Sequence, residues 1–342
     1  MKTKSSLVCC GSLLGLVLSV PVVGVASESY HLLKEIPVGG EGGWDYLSVD
    51  SAAHRLYVSH ATQVVVIDTA SDKVVGEIAD TPGVHGLIPA PDLGRGFTSN
   101  GRENKASIVD LKSLQTLGKV ATGENPDAIL YEPGQKEVYT FDGRGKTATV
   151  FGATTGKVIA TIPMGGKPEF AAEDEQAGRI YVNIENTNEV LAIDTKTHQV
   201  TNHWPIAPGE EATGLAIDPA GHRLVIGCSN EKMVIMDSTT GRVVTSFAAG
   251  KGIDATAFDP GTKLAFASAG DGTVTIVHED TPDKFTVVQT LTTERGARTM
   301  TVDPVTHKIY LASAKFEAPA GGAGRPRLVS GSLKVLVYGP GE

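Results

Sequence analysis

Cysteine is scarce in this sequence: three in 342 residues, two of them side by side at Cys9 and Cys10 and the third at Cys228. A disulfide framework is therefore excluded, and so is covalent haem, because no C-x-x-C-H occurs. Basic residues are outnumbered, 30 Lys and Arg against 39 Asp and Glu, for a net charge of −9. Such a balance argues against nonspecific nucleic-acid binding, which needs cations to neutralise phosphates. It also leaves no polybasic patch for anionic lipid. Beyond the first 26 residues no apolar run reaches the ~20 residues that a bilayer-spanning helix requires. Catalytic signatures are absent as well. Ser59, Ser99 and Ser313 lack a nucleophile-elbow context, and GGEGG and GAGRP are not followed by the helix or Lys-Ser/Thr of a phosphate loop.

The first 26 residues read as a signal peptide. Lys2 and Lys4 form a basic start, LVCCGSLLGLVLSVPVVGV an apolar middle, and Gly24 and Ala26 the small residues before a cleavage point. The expected mature chain, 27–342, is a periplasmic or secreted single domain. Without Lys2 and Lys4, 28 of the 30 basic residues face 39 acidic ones, so its charge is −11. It keeps one thiol, Cys228, read as buried and inert.

What is abundant is glycine, 40 residues, with 18 prolines and short alternating segments. These segments repeat. YLSVDSAAHRLYVS (46–59) is answered by GLAIDPAGHRLVIG (214–227) and TMTVDPVTHKIYLAS (299–313), each followed by a second hairpin such as QVVVIDTASDKVVGEI (63–78). Repeat starts fall near 45, 85, 127, 169, 213, 254 and 298, at intervals of 40 to 44 residues. Four short strands fill such an interval, which is the length of a propeller blade. The expected fold is all-β: a seven-bladed β-propeller of four-stranded antiparallel blades. The last repeat stops after a third strand, SLKVLVYGP (332–340), and YHLLKEIPVGG (30–40) looks like the missing fourth. The N-terminal strand is thus expected to complete the last blade, leaving no sheet edge unpaired.

RLYVS, RIYVN and KIYLAS, each followed by a V-x-V-I-D-type strand and exits like TTGKVIATIPMGG, resemble the YVTN-repeat β-propellers. Over residues 30–340 the chain is similar to the YncE-like exported proteins of bacteria. The resemblance implies the fold and an exported location. For activity it implies either binding or a lactonase-type reaction, since fold alone does not set chemistry.

The residues at the seven repeat starts are Asp45, His85, Asp127, Glu169, Thr213, Asp254 and Arg298. On one face of a propeller they ring the channel mouth. Carboxylates gathered there repel one another unless a cation neutralises them. Hence His85, Asp127, Glu169 and Asp254 are candidate ligands for a divalent metal (Ca, Mg, Zn or Mn), with Arg298 pairing a carboxylate or holding a substrate anion. Plain lining of a wet channel accounts for the same residues without any ligand. Trp44 and Tyr46 flank Asp45 as a candidate aromatic pair. The second ring of loops adds His60, Arg144, Asn100, Asp142 and Asn183. His60 and His85 together are candidates for metal binding or for acid and base; the catalytic candidates are His85, His60, Glu169 and Arg298. Blade seven carries a long Gly/Pro-rich insertion, 314–331, in which Phe316, Glu317, Arg325 and Arg327 are placed to reach over the channel, as a lid, as a docking loop, or as an unstructured segment. Two functions follow. One is an exported protein that binds a small molecule, metal or protein partner on the channel-mouth face. The other is a metal-dependent lactonase or esterase using the same face.

Overall fold

The computed structural model describes residue 1 and residues 29–317 and 327–341. The expected signal peptide and Arg325 lie outside the described residues. Seven four-stranded antiparallel sheets follow one another along the chain, and among the described residues the only helical turns are two of three residues each. Blade 1 is made of Trp44–Asp50, Arg55–His60, Gln63–Asp68 and Lys73–Ile78. The innermost strands of the next six blades are Val84–Ala90, Pro126–Glu132, Pro168–Asp174, Ala212–Asp218, Ile253–Asp259 and Met300–Asp303.

The seventh sheet closes the ring. Its order places His31–Pro37 beside Lys334–Gly339, then Lys308–Ser313, then Met300–Asp303. His31 pairs with Gly339 and Pro37 with Lys334, so the N-terminal strand supplies the outer strand of blade 7.

Burial explains the sequence patterns. The second and third strands of a blade are covered on both faces, as in Arg223–Cys228, every residue of which is buried, and therefore read as unbroken apolar runs. Outer strands such as Lys73–Ile78 are mostly exposed and carry charge. Among the described residues the apolar side chains form seven clusters, and each straddles two neighbouring blades, including blades 7 and 1. The core is thus a set of interfaces around the ring rather than one central mass. Cys228, fully buried in the cluster between blades 4 and 5, has its thiol pushed up to about 12 by desolvation, which makes it inert.

In six of the seven blades the far end of the inner strand is fixed by turn chemistry; in blade 2 the strand ends at Ala90 and runs into the Pro91–Leu93 turn. Asp50 accepts the Ala53 amide at 3.0 Å, Asp174 that of Ala177 at 3.0 Å, Asp218 that of Gly221 at 2.8 Å and Asp259 that of Gly261 at 2.9 Å. Glu132 does the same with Gln135 at 2.6 Å, and Asp303 with Val305 at 3.0 Å. A carboxylate that accepts backbone N–H groups two or three residues on locks a tight turn. Two of these far-end regions also tie blades together: His307 Nδ1 meets Asp259 at 2.7 Å, and His198 Nε2 meets Glu137 at 2.7 Å.

Candidate functional site: the mouth of the channel

The near ends of the inner strands are built differently. Pairing with the second strand breaks register between Trp44 and Leu47, Val84 and Gly86, Pro126 and Ile129, Pro168 and Ala171, Ala212 and Gly214, and Ile253 and Ala255. Asp45, His85, Asp127, Glu169, Thr213 and Asp254 sit in those six breaks. A bulge frees a residue from the ladder and re-aims its side chain. Repetition of the bulge turns one local irregularity into a ring of polar groups at one end of the channel.

The ring resolves into three ionic groups. His85 Nδ1 lies 2.7 Å from Asp45 Oδ2 and 3.3 Å from Asp127 Oδ1. Lys167 bridges Glu169, at 2.8 Å, and Glu185. Arg298 Nε meets Asp254 Oδ2 at 3.0 Å. Thr213 is not part of these groups and donates to the Ile253 carbonyl at 2.8 Å.

Desolvation raises the carboxyl pKa values of Asp127 and Glu169, against the pull of His85 on the first and Lys167 on the second. It likewise lifts Asp254 to about 6 despite Arg298. For His85 desolvation acts downward, but Asp45, Asp127 and Glu169 outweigh it and hold the imidazole at about 9. At neutral pH His85 is therefore a cation.

Below the charged ring the channel is obstructed by aromatic rings. Tyr46 of blade 1 meets Phe170 of blade 4 edge-on, with ring centroids 4.9 Å apart. Its phenol is held well above the ordinary value by burial and by the carboxylates above it. The mouth is thus a cup with an aromatic floor. Beside it lies a cavity of 540 Å³, lined by Trp44, Arg298, Phe316, Leu328 and the Glu41–Gly43 segment. Phe316 and Glu317 pair with Leu328 and Arg327 in a two-stranded ribbon at the base of the blade-seven insertion. The ribbon sets the Phe316 ring 6.1 Å from Trp44.

Several expected placements change. Trp44 and Tyr46 do not act as a pair: Trp44 turns outward to Phe316, and Tyr46 turns into the channel. His60 is the last residue of a strand rather than a loop tip, and it is only 2% exposed. Burial lowers its pKa, and it packs so closely on Gly40 that a Cβ there would lie 2.4 Å from its ring. It takes no part in the one group of ligating atoms found within 4.8 Å of one another among the described residues, which is Asp45, His85 and Asp127. Glu169 and Asp254, expected to share a metal with His85 and Asp127, are instead tied to Lys167 and Arg298. Arg144 is exposed and forms no ion pair with any described residue. Asn100, Asp142 and Asn183 are fully buried; the first two bond within their own blades and Asn183 donates to the Gly214 carbonyl of the next blade, so these three are structural.

Lys167 and Phe170 were missed from sequence. The signal was present in GGKPEF: a cation two residues before a bulged carboxylate, and an aromatic one residue after it. Gly101 was missed too. A Cβ there would fall 2.6 Å from His85 Nε2, so its lack of a side chain makes room for the imidazole.

These features define a seven-bladed β-propeller with a polar, partly aromatic channel mouth. Residues 177–259 match the family described as the anaphase-promoting complex subunit 4 WD40 domain, a stretch well under half of the chain. Among solved structures, the chain is similar to a hydrazine synthase chain of Kuenenia stuttgartiensis, with a TM-score of 0.71 and 16% identity over 85% of this chain and 95% of that one. At that identity the likeness is one of fold. No curated protein matches the sequence. No helix among the described residues is long and apolar enough to cross a membrane.

Proposed function

We propose that the protein is an exported binding protein, of the YVTN-repeat kind its motifs resemble, and that the channel-mouth face takes a small molecule with a carboxylate head and a flat apolar body. One observation carries this reading: Arg298 and the aromatic rings of Trp44 and Phe316 line the same 540 Å³ cavity. Arg298 spends only its Nε on Asp254, and its side chain is 49% exposed. No described residue bonds its two terminal nitrogens, which form the fork that suits a carboxylate. Trp44 and Phe316 supply the apolar walls that small-molecule sites combine with a few placed polar groups.

The test is thermal stabilisation by a panel of aromatic carboxylates, benzoate included. Stabilisation that disappears in Arg298→Ala and in Trp44→Ala supports the reading. Equal stabilisation in both variants, or none in the wild type, sinks it. Export is tested separately, by fractionation and by sequencing a mature N-terminus near Ser27.

A second reading, hydrolysis of a lactone or ester, is favoured by the Asp45–His85–Asp127 group. A carboxylate there would act as base, and a bound cation would polarise the carbonyl. Its check is lactone hydrolysis followed by pH-stat, in the wild type and in His85→Ala.

A further inference from the structure

We propose that Asp45, His85 and Asp127 bind one divalent cation of the borderline class, zinc or manganese, at the channel mouth. The proposal stands apart from the aromatic-acid reading; only the hydrolytic reading depends on it.

Within the ring, this group differs from its neighbours. Glu169 and Glu185 share a lysine, and Asp254 has an arginine. Asp127 has neither. It is 8% exposed, yet its carboxylate accepts no hydrogen bond from any described residue, and its nearest cationic atom is His85 Nδ1 at 3.3 Å. That nitrogen carries at most one proton, and the proton is directed to Asp45 at 2.7 Å. The carboxylate keeps some exposure to the channel, with its side chain 11% exposed, so an ion entering from the mouth can reach it.

Charge points the same way. Five carboxyl groups, Asp45, Asp127, Glu169, Glu185 and Asp254, surround the mouth, against the ammonium of Lys167 and the guanidinium of Arg298. A divalent ion held by Asp45, His85 and Asp127 would offset that imbalance.

Geometry and donor type narrow the ion. In a tetrahedral site with bonds of ~2.0–2.1 Å, donors stand about 3.3 Å apart. The His85–Asp127 separation already matches, and Asp45 would withdraw by roughly 0.6 Å as its hydrogen bond gave way to a metal bond. One imidazole nitrogen with two carboxylates suits zinc or manganese, whereas calcium and magnesium favour all-oxygen sets. Three protein donors leave a position open toward the cup. The supports are in place: the Ser59 hydroxyl accepts the Asp45 amide at 2.9 Å, and Gly101 leaves room for the imidazole.

The experiment uses the mature protein, stripped with chelator and dialysed against zinc, manganese, calcium or magnesium. Metal is counted by mass spectrometry, and affinity is measured by calorimetry. About one equivalent of zinc or manganese is expected, with affinity at least about 100-fold weaker in His85→Ala and Asp127→Asn. Glu169→Gln and Asp254→Asn should bind as the wild type does. Cobalt substitution adds a spectroscopic arm that does not depend on one variant folding: the visible bands of a nitrogen–oxygen site should be lost in the isosteric Asp127→Asn. Failure of the wild type to bind, unchanged binding in Asp127→Asn, or preference for calcium or magnesium each overturns the proposal. Metal binding without any aromatic-acid stabilisation would retain this site and reject the carboxylate pocket; the converse result would do the opposite.

Discussion

The two ends of the inner strands carry the same residue types and use them for different purposes. At the far end Asp50, Asp174, Asp218, Asp259 and Asp303 are satisfied by backbone N–H groups of the next turn. At the near end Asp45, Asp127, Glu169 and Asp254 sit in bulges and meet only side-chain cations. A carboxylate bonded by its own turn is spent on the fold. One lifted out of the ladder remains open to exchange its partner.

The sharpest way to break this comparison is at Asp259, which is fully buried and bonded to the Gly261 amide, the Thr262 hydroxyl and His307. Asp259→Ala should cost about 3 kcal/mol in urea unfolding, because His307 and the turn lose their partner together. Metal and ligand binding by the folded variant should not change. If binding fell as far as stability, the two ends would not be separable.

Glu173 is the exception at the far end and gives the next largest effect. Its Oε1 is buried without a partner, and desolvation, then Glu132, Glu175 and Asp174, push its pKa up to about 8. With the folded value above the unfolded one, its favourable contribution is complete below about pH 4.5 and is lost as pH rises through about 8. Glu173→Gln should therefore match the wild type near pH 4 and exceed it by on the order of 1 kcal/mol at pH 9. Parallel stability curves for the two proteins across that range would disprove it.

The smallest stability effect is expected at the mouth. Asp127→Asn replaces a carboxyl group whose charged form desolvation already disfavours and which accepts no hydrogen bond from a described residue, so melting at neutral pH should stay within about 1 kcal/mol of wild type or rise. A drop comparable with that of Asp259→Ala would mean that Asp127 belongs to the scaffold.

The fold was legible because each blade repeats its own local instructions. The alternation, the turn residues and the apolar runs of strands two and three recur every 40 to 44 residues, and the unmatched third strand at 332–340 announced its partner at 30–40. The ring positions of Asp45, His85, Asp127, Glu169 and Asp254 followed from the same periodicity. Partnerships did not, because they join blades that periodicity treats as equivalent. Nothing local says that Tyr46 meets Phe170 from three blades away, or that His85 meets Asp45 and Asp127 of the blades on either side. His60 was misplaced for a related reason: a histidine at a strand end looks solvated until the neighbouring Gly40 backbone is laid against it.

The strand that closes blade 7 has a consequence for synthesis. His31–Pro37 is made some 300 residues before its partner, Lys334–Gly339, is complete. Throughout that interval the first segment has no seat of its own, and the unfinished seventh sheet offers an open edge to whichever strand reaches it first. At high concentration that strand can belong to a second molecule, so exchange of residues 31–37 between two rings is a route to dimers that this closure leaves open.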